Sequence, residues 1–227
     1  MKCLPTEAAN AVSAWRRWAW CLGLTLALGA ATLRALPQAT PPAPPAPAAS
    51  VSAVNDRLDE TFRKYAKRFF GPGVDWRLFK AQGIAESGLN PDAVSRVGAR
   101  GIMQLMPSTY QDVRSKSSLI GEHIDDPEWN IAAGILYDRT LWKSWTTTLD
   151  DSHRYQFMFG SYNAGMTYVQ KAQKMAEERA LDARVWPSIE LVAPQVPRWK
   201  SEETITYVQR ILQYVQRMNA NGKLIKK

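Results

Sequence analysis

The chain has 227 residues, 45% of them hydrophobic, and a formal charge of +8, so one globular domain of ordinary size plus an extension is the expected plan. Lys2, Arg16, Arg17 and Arg34 against Glu7 place +3 of that charge in the first fifty residues and leave +5 on the remainder. Such a surplus suits an anionic polymer such as a cell wall or a membrane surface, or simply a soluble basic surface, and it is too diffuse to argue for nucleic acid.

Lys2, Arg16 and Arg17 precede an uncharged run from Trp18 to Leu33 that contains Leu22, Leu24, Leu26 and Leu28, the layout of an export segment. As a helix it would be roughly 24 Å long at ~1.5 Å per residue, a little short of a bilayer core of ~30 Å. Residues 1–36 are therefore expected to be a signal peptide, cleaved among Ala27, Gly29, Ala30 and Ala31, or an uncleaved anchor with Trp15, Trp18 and Trp20 at the membrane interface. Either way the rest of the chain is expected to be exported to the periplasm or cell envelope, held at the inner membrane if the anchor stays. Both cysteines, Cys3 and Cys21, lie in this segment, so the folded part has no disulfide framework to invoke. Residues 37–54 include Pro41-Pro42-Ala43-Pro44-Pro45-Ala46-Pro47 and are expected to form an extended Pro/Ala spacer that buries nothing.

The domain proper is expected over residues 55–222. Asp56 to Phe70 carries Leu58, Phe62, Tyr65, Ala66 and Phe69 on one helical face, and Gly71-Pro72-Gly73 breaks it. A second helix is expected from an Asp75 N-cap, with Trp76, Phe79, Gly83 and Ile84 at helical spacing and Gly88 as the C′ stop. Glu86 falls in its last turn. There it meets the negative end of the helix dipole, and apolar neighbours would strip its water, so both effects favour the protonated carboxyl that a general acid needs. On local grounds alone the plainer reading, a residue that ends a surface helix, comes first.

After Glu86 the chain reads Ser87-Gly88-Leu89-Asn90-Pro91, then Ser95, Gly98-Ala99, Gly101-Ile102-Met103-Gln104 and Leu105-Met106-Pro107. This stretch resembles the Slt-type lytic transglycosylases, lysozyme-like enzymes that cleave the glycan strands of bacterial peptidoglycan. Their pattern is Glu-Ser, then Asn-Pro, then Ser-x-x-Gly-Ala-x-Gly-Leu-Met-Gln, and Ile102 is the one conservative change.

Pro107 is expected at N1 of a helix through Tyr110 and Val113, and Asp126-Pro127 to open another with Ile131, Ile135, Leu136 and Leu141 in the core. Asn130-Ile131 and Gly134 are similar to the family's Asn-Ile helix. Arg154 to Tyr162 reads as an apolar helix ending in Ser161-Tyr162-Asn163-Ala164-Gly165, where the family has Ala in place of Ser161. A tyrosine there can stack on a sugar and an asparagine can meet an N-acetyl group, or both can be a core residue and a turn residue. A more polar helix is expected over Val169–Ala183, then a long irregular stretch marked by Pro187, Pro194 and Pro197, then a last helix capped by Ser201. On it Ile205, Val208, Leu212 and Val215 form one stripe and Tyr207, Ile211, Tyr214 and Met218 another. Glu203-Thr204 and Tyr207-Val208 match the family, whereas the residue after the Thr is Ile205 rather than basic. Residues 223–227 read as a basic tail.

The resemblance covers about Val74 to Val215 and implies an all-α, lysozyme-like helical domain with a substrate cleft. It implies that Glu86 acts alone, as acid and then as base. The muramic sugar's own C6 hydroxyl would attack, assisted by the N-acetyl group, and leave a 1,6-anhydro end without consuming water. Ser95, Gln104, Tyr162, Asn163 and Glu203 are then expected to hold the sugar, and Met103 and Tyr207 to shape the cleft. No metal or organic cofactor is implied, and His123 and His153 lack metal-ligand spacing. The partner implied is the peptidoglycan strand; the N-terminal segment adds the membrane if it is uncleaved, an envelope or secretion-complex partner is left open, and nucleic acid is not expected. Two other readings share the resemblance: a goose-type lysozyme-like hydrolase with Glu203 as second carboxylate, and a non-catalytic wall-binding component of a secretion apparatus or phage particle.

Overall fold

Helices and their caps, rather than a sheet, organise residues 51–225, the part of the chain that the computed structural model describes. The expected export segment, the Pro/Ala tract up to residue 50 and the last two lysines of the basic tail lie outside these residues. Eight α-helices follow one another: α1 (Val51–Phe70), α2 (Arg77–Ser87), α3 (Pro107–Ser115), α4 (Pro127–Ser144), α5 (Asp151–Ala164), α6 (Met166–Glu178), α7 (Trp186–Val192) and α8 (Ser201–Arg217). Among the described residues there are only isolated β-bridges, so the all-α expectation holds. None of these helices is long and apolar enough to cross a membrane.

The spacing of apolar residues explains the packing. Leu58, Phe62, Tyr65 and Ala66 lie on one face of α1 and are all buried, against α4 and α2. Helix α5 touches α4, α6, α7 and α8, and Phe157 through Ser161 are buried in succession. Gly160 is what lets a ring lie on its backbone: a Cβ there would stand 2.2 Å from Trp186 Cη2. Ser161, the departure from the family's Ala, has a physical reason, since its Oγ accepts a hydrogen bond from buried Trp145 Nε1 at 3.0 Å.

Local chemistry places several ends as expected. Pro107 and Pro127 open α3 and α4, and Asp126 accepts from the backbone N–H groups of Glu128 and Trp129 at 2.8 and 3.2 Å. Other expectations need correction. Asp75 stands one residue before the N-cap Trp76, although its carboxylate still accepts from Arg77 N at 3.0 Å. The α5 helix starts earlier than Arg154, on an Asp150 cap bonded to His153 N at 2.9 Å. The more polar helix occupies Met166–Glu178, not Val169–Ala183. The supposedly irregular stretch contains α7 and a 3-10 turn (Ala193–Gln195), because Pro187 sits in a first helical turn where its missing N–H is no loss. Ser201 is the first residue of α8 and makes no cap, and the buried arc of α8 is Thr204, Tyr207, Val208 and Ile211.

Beyond α8 the chain turns back. Lys80 of α2, buried and paired with Asp59 of α1, donates to Gly222 O at 2.9 Å, and Arg77 Nη1 donates to Met218 O at 3.2 Å. The C-terminal turn is thereby tied to the start of the helix that carries Glu86.

Candidate active site

Glu86 is placed by the end of α2. Gly88 caps that helix at φ 67°, a left-handed conformation that suits glycine, and its N–H and that of Leu89 return to Ile84 O and Gly83 O at 3.0 and 3.3 Å. Gly83 has no side chain to hold Ile102 off, for a Cβ there would sit 3.0–3.2 Å from Leu89, Phe62 and Ile102. The turn is thus drawn against the core and Glu86 is left half-buried at its edge. Across from it α8 contributes Tyr207, whose hydroxyl donates to Glu86 Oε1 at 2.6 Å. Burial pushes the Glu86 carboxyl from 4.5 up to about 7, against the Tyr207 hydrogen bond and the Arg210 charge, which both favour the ionised form. Arg210 also donates to Ala85 O at 3.3 Å.

The loop between α2 and α3 is held by its own backbone and by one asparagine. Arg100 bridges Val94 and Leu105, and Ser95 Oγ accepts from Ala99 N at 2.9 Å. Asn130, buried at the start of α4, accepts from Met103 N at 2.8 Å and donates to Arg100 O and Ile124 O at 3.0 Å each. Gly101, at φ 74°, passes so close that a Cβ would lie 2.4 Å from the Asn130 amide. Gln104 adopts φ 45° and spends its amide N–H groups on Ala93 O and Gly101 O, at 3.1 and 2.9 Å, which leaves Oε1 as the amide atom not used in these bonds.

Of the expected site residues, Glu86, Tyr207, Tyr162 and Met103 come together, and Ser95 and Gln104 sit on the loop beside them. Met103 presents its backbone rather than its side chain: the thioether is fully buried beneath Gly134, and its carbonyl accepts from Tyr162 Oη at 2.8 Å. Tyr207 likewise does more than shape a wall. Tyr162 packs its ring on Tyr137 at 5.3 Å between centroids. Asn163 is exposed at the end of α5, with Oδ1 accepting from Thr204 Oγ1 at 2.8 Å, and Thr204 in turn accepts from Trp199 Nε1 at 3.1 Å. Glu203 is exposed and lines an open basin of about 960 Å³ together with Trp199, Lys200, Thr206 and Arg210.

Sequence reasoning missed three residues of this region. Arg210 carries no local signal of a role, and Asn130, which matches the family's Asn-Ile helix, carries none that would tie it to the Met103 loop. The third, Asp138, is fully buried on α4 and accepts from Gln82 Nε2 of α2 at 3.3 Å. Burial holds its carboxyl well above the usual carboxylate range, with a contribution from the charge of Glu86. A carboxyl in the middle of an otherwise apolar helical stripe was the available signal. Among the described residues no three His, Cys, Asp or Glu side chains are grouped as metal ligands.

Known proteins share this arrangement of helices and loop. The sequence model of the transglycosylase SLT domain matches residues 60–185. Over 178 residues the chain is 30% identical to the membrane-bound lytic murein transglycosylase F of Shewanella pealeana, a match that covers 72% of this chain and 35% of that relative. The chain thus spans about a third of the length of that relative. Its backbone is similar to the 70 kDa soluble lytic transglycosylase of Escherichia coli, with a TM-score of 0.53, 27% identity, and coverage of 71% of this chain and 25% of that one. It is similar also to an inactive glutamate-to-glutamine mutant of the lytic transglycosylase Slt of Pseudomonas aeruginosa, with a TM-score of 0.53, 28% identity, and coverage of 69% and 23%. With more than half of its length matched by the family's sequence model and its helices arranged as in these lysozyme-like enzymes, the chain belongs to the transglycosylase SLT domain family.

Proposed function

We propose that this domain cleaves the β-1,4 linkage between the muramic and glucosamine sugars of peptidoglycan in the cell envelope, without consuming water, and that Glu86 is its acid and then its base. The observation that carries the reading is the Glu86 carboxyl, half-buried, pushed up to about 7 and held at 2.6 Å by the Tyr207 hydroxyl. Near neutral pH such a group is protonated often enough to give a proton to the glycosidic oxygen and deprotonated easily enough to take one back. The carboxylate that forms is met by the Tyr207 hydroxyl and the Arg210 charge, so the second half of the cycle has its stabilising partners in place. Ser95, Gln104 through Oε1, Tyr162, Asn163 and Glu203 are the groups assigned to grip the sugar and its N-acetyl group.

Two carboxylates at a scissile bond would point to hydrolysis. The second carboxyl close to Glu86, Asp138, is sealed from solvent, so it has no access to a water in the cleft. The nucleophile assigned to Glu86 in this reading is the muramic sugar's C6 hydroxyl, whose effective concentration far exceeds that of a loosely placed water, whereas a hydrolase would need a second carboxylate such as Glu203. Digestion of purified sacculi should therefore release 1,6-anhydromuramic ends, one water lighter than hydrolytic products and unchanged by borohydride. Glu86→Gln should lose at least about a hundredfold of that activity. Predominantly reducing muramic ends would overturn the lyase reading in favour of a lysozyme-like hydrolase. For location we infer export, with the Trp18–Leu33 segment as signal or anchor and the Pro/Ala tract as spacer. N-terminal sequencing of the exported protein distinguishes the two.

A further inference from the structure

Helix α2 carries two polar side chains one turn apart, Gln82 and Glu86, and only Glu86 reaches the surface. Gln82 is fully buried, and its Nε2 meets Oδ1 of fully buried Asp138 at 3.3 Å. The remaining atoms of this pair, Asp138 Oδ2 and Gln82 Oε1, have no hydrogen-bond partner in the protein. If Asp138 were ionised, both would be acceptors with nothing to accept from. A proton on Oδ2 converts one of the two orphan acceptors into a donor, so the buried pair no longer holds two acceptors with nothing to accept from.

We propose that Asp138 is a positioning residue for Glu86, a sealed carboxylic acid that keeps its own proton while Glu86 gives one up and regains it, so that the site holds a single negative charge. The inference rests on the acid–base reading of Glu86 given above. The groups packed around the pair favour this ordering. Glu86 has the Tyr207 hydroxyl and Arg210 of α8 to stabilise its charge, whereas Asp138 has Gln82 alone. Tyr162 of α5, Tyr207 and the adjacent Tyr137 are all held above the usual tyrosine range by burial, so they stay neutral and bring no charge that would stabilise an ionised Asp138. From α3, Asp112 adds only a further negative charge near Tyr137. On α1 the buried Asp59 is paired with Lys80, and Tyr65 is engaged with Glu128. Two carboxyls in one desolvated enclosure titrate as a coupled pair, and the better-solvated one ionises first.

The test is a substrate-free titration of the full chain labelled with carbon-13 at its aspartate side-chain carboxyls, followed by infrared absorption between about pH 5 and about pH 10. Protonated and ionised carboxyls absorb apart, and at neutral pH one aspartate band should remain protonated. Asp138→Asn should abolish that band, which assigns it. In Glu86→Gln the band's midpoint should fall to lower pH, because the charge that opposes Asp138 ionisation is gone. Should the Asn variant not fold, Gln82→Leu/Asp138→Leu, which removes both partners together, serves for the assignment. Absence of a protonated aspartate at neutral pH overturns the inference, and so does a midpoint that Glu86→Gln leaves unmoved. Failure of the lytic reading would show separately, as inactivity on sacculi with the coupled titration intact.

Discussion

At the scale of single residues, the ionisation of Glu86 turns on a balance between burial and two stabilising partners. Tyr207→Phe removes the 2.6 Å hydrogen bond that favours the carboxylate, so the Glu86 carboxyl should move further up and the pH–activity profile should shift toward alkaline pH with a lower maximum. A profile that keeps its position would dissociate Tyr207 from the proton transfer. Stability gives a second handle on the same group. Because the folded value lies above the unfolded one, the folded state binds more protons between about 4.5 and about 7. The contribution of this one group to stability is therefore greatest below that window, falls as pH climbs through it, and is lower above it by on the order of 3 kcal/mol. Glu86→Gln should flatten this slope in urea unfolding measured at several pH values, while an unchanged slope would argue against a perturbed carboxyl.

At the scale of elements, the loop between α2 and α3 depends on α4 for its shape. Asn130 makes three hydrogen bonds from one buried amide, to Met103 N, Arg100 O and Ile124 O, and Gly101 lies against it. Asn130→Ala should cost roughly 2–4 kcal/mol, since it leaves buried backbone groups unpaired. Hydrogen exchange should quicken across residues 99–105 ahead of the rest of the domain, and cleavage should weaken because the Met103 carbonyl that receives Tyr162 is no longer fixed. Uniform loss of protection over the whole domain would mean that Asn130 supports the core rather than the loop.

At the scale of the whole molecule, the described helices share one apolar core. The main cluster draws on every helix from α1 to α8, and its first buried member is Leu58. A chain beginning at residue 51 should accordingly fold with the thermal midpoint of the full protein and digest isolated sacculi, because a Pro/Ala tract has no apolar surface to add to a core. Loss of folding on that truncation would place part of the domain upstream. The same reasoning assigns the tie between Lys80, Asp59 and Gly222 to the domain rather than to a loose tail.

The sequence by itself determined what is local. Pro107, Pro127 and Gly88 act on the backbone within a residue or two of themselves, so the helix ends that they set were legible, as were the apolar face of α1 and the Glu86-to-Pro107 pattern that names the family. Ends that depend on which groups remain unpaired after packing were not: Ser201 could be judged a cap only until α8 was seen to start there, and Pro187 looked like a breaker until its place in a first turn was known. The partners of the site are further from the reach of local pattern. Tyr207 lies 121 residues from Glu86, and Asp138 lies 56 from Gln82, so neither spacing nor period links them. Only the tertiary structure could decide which polar residues are dry, and dryness is what raises the Glu86 carboxyl to about 7.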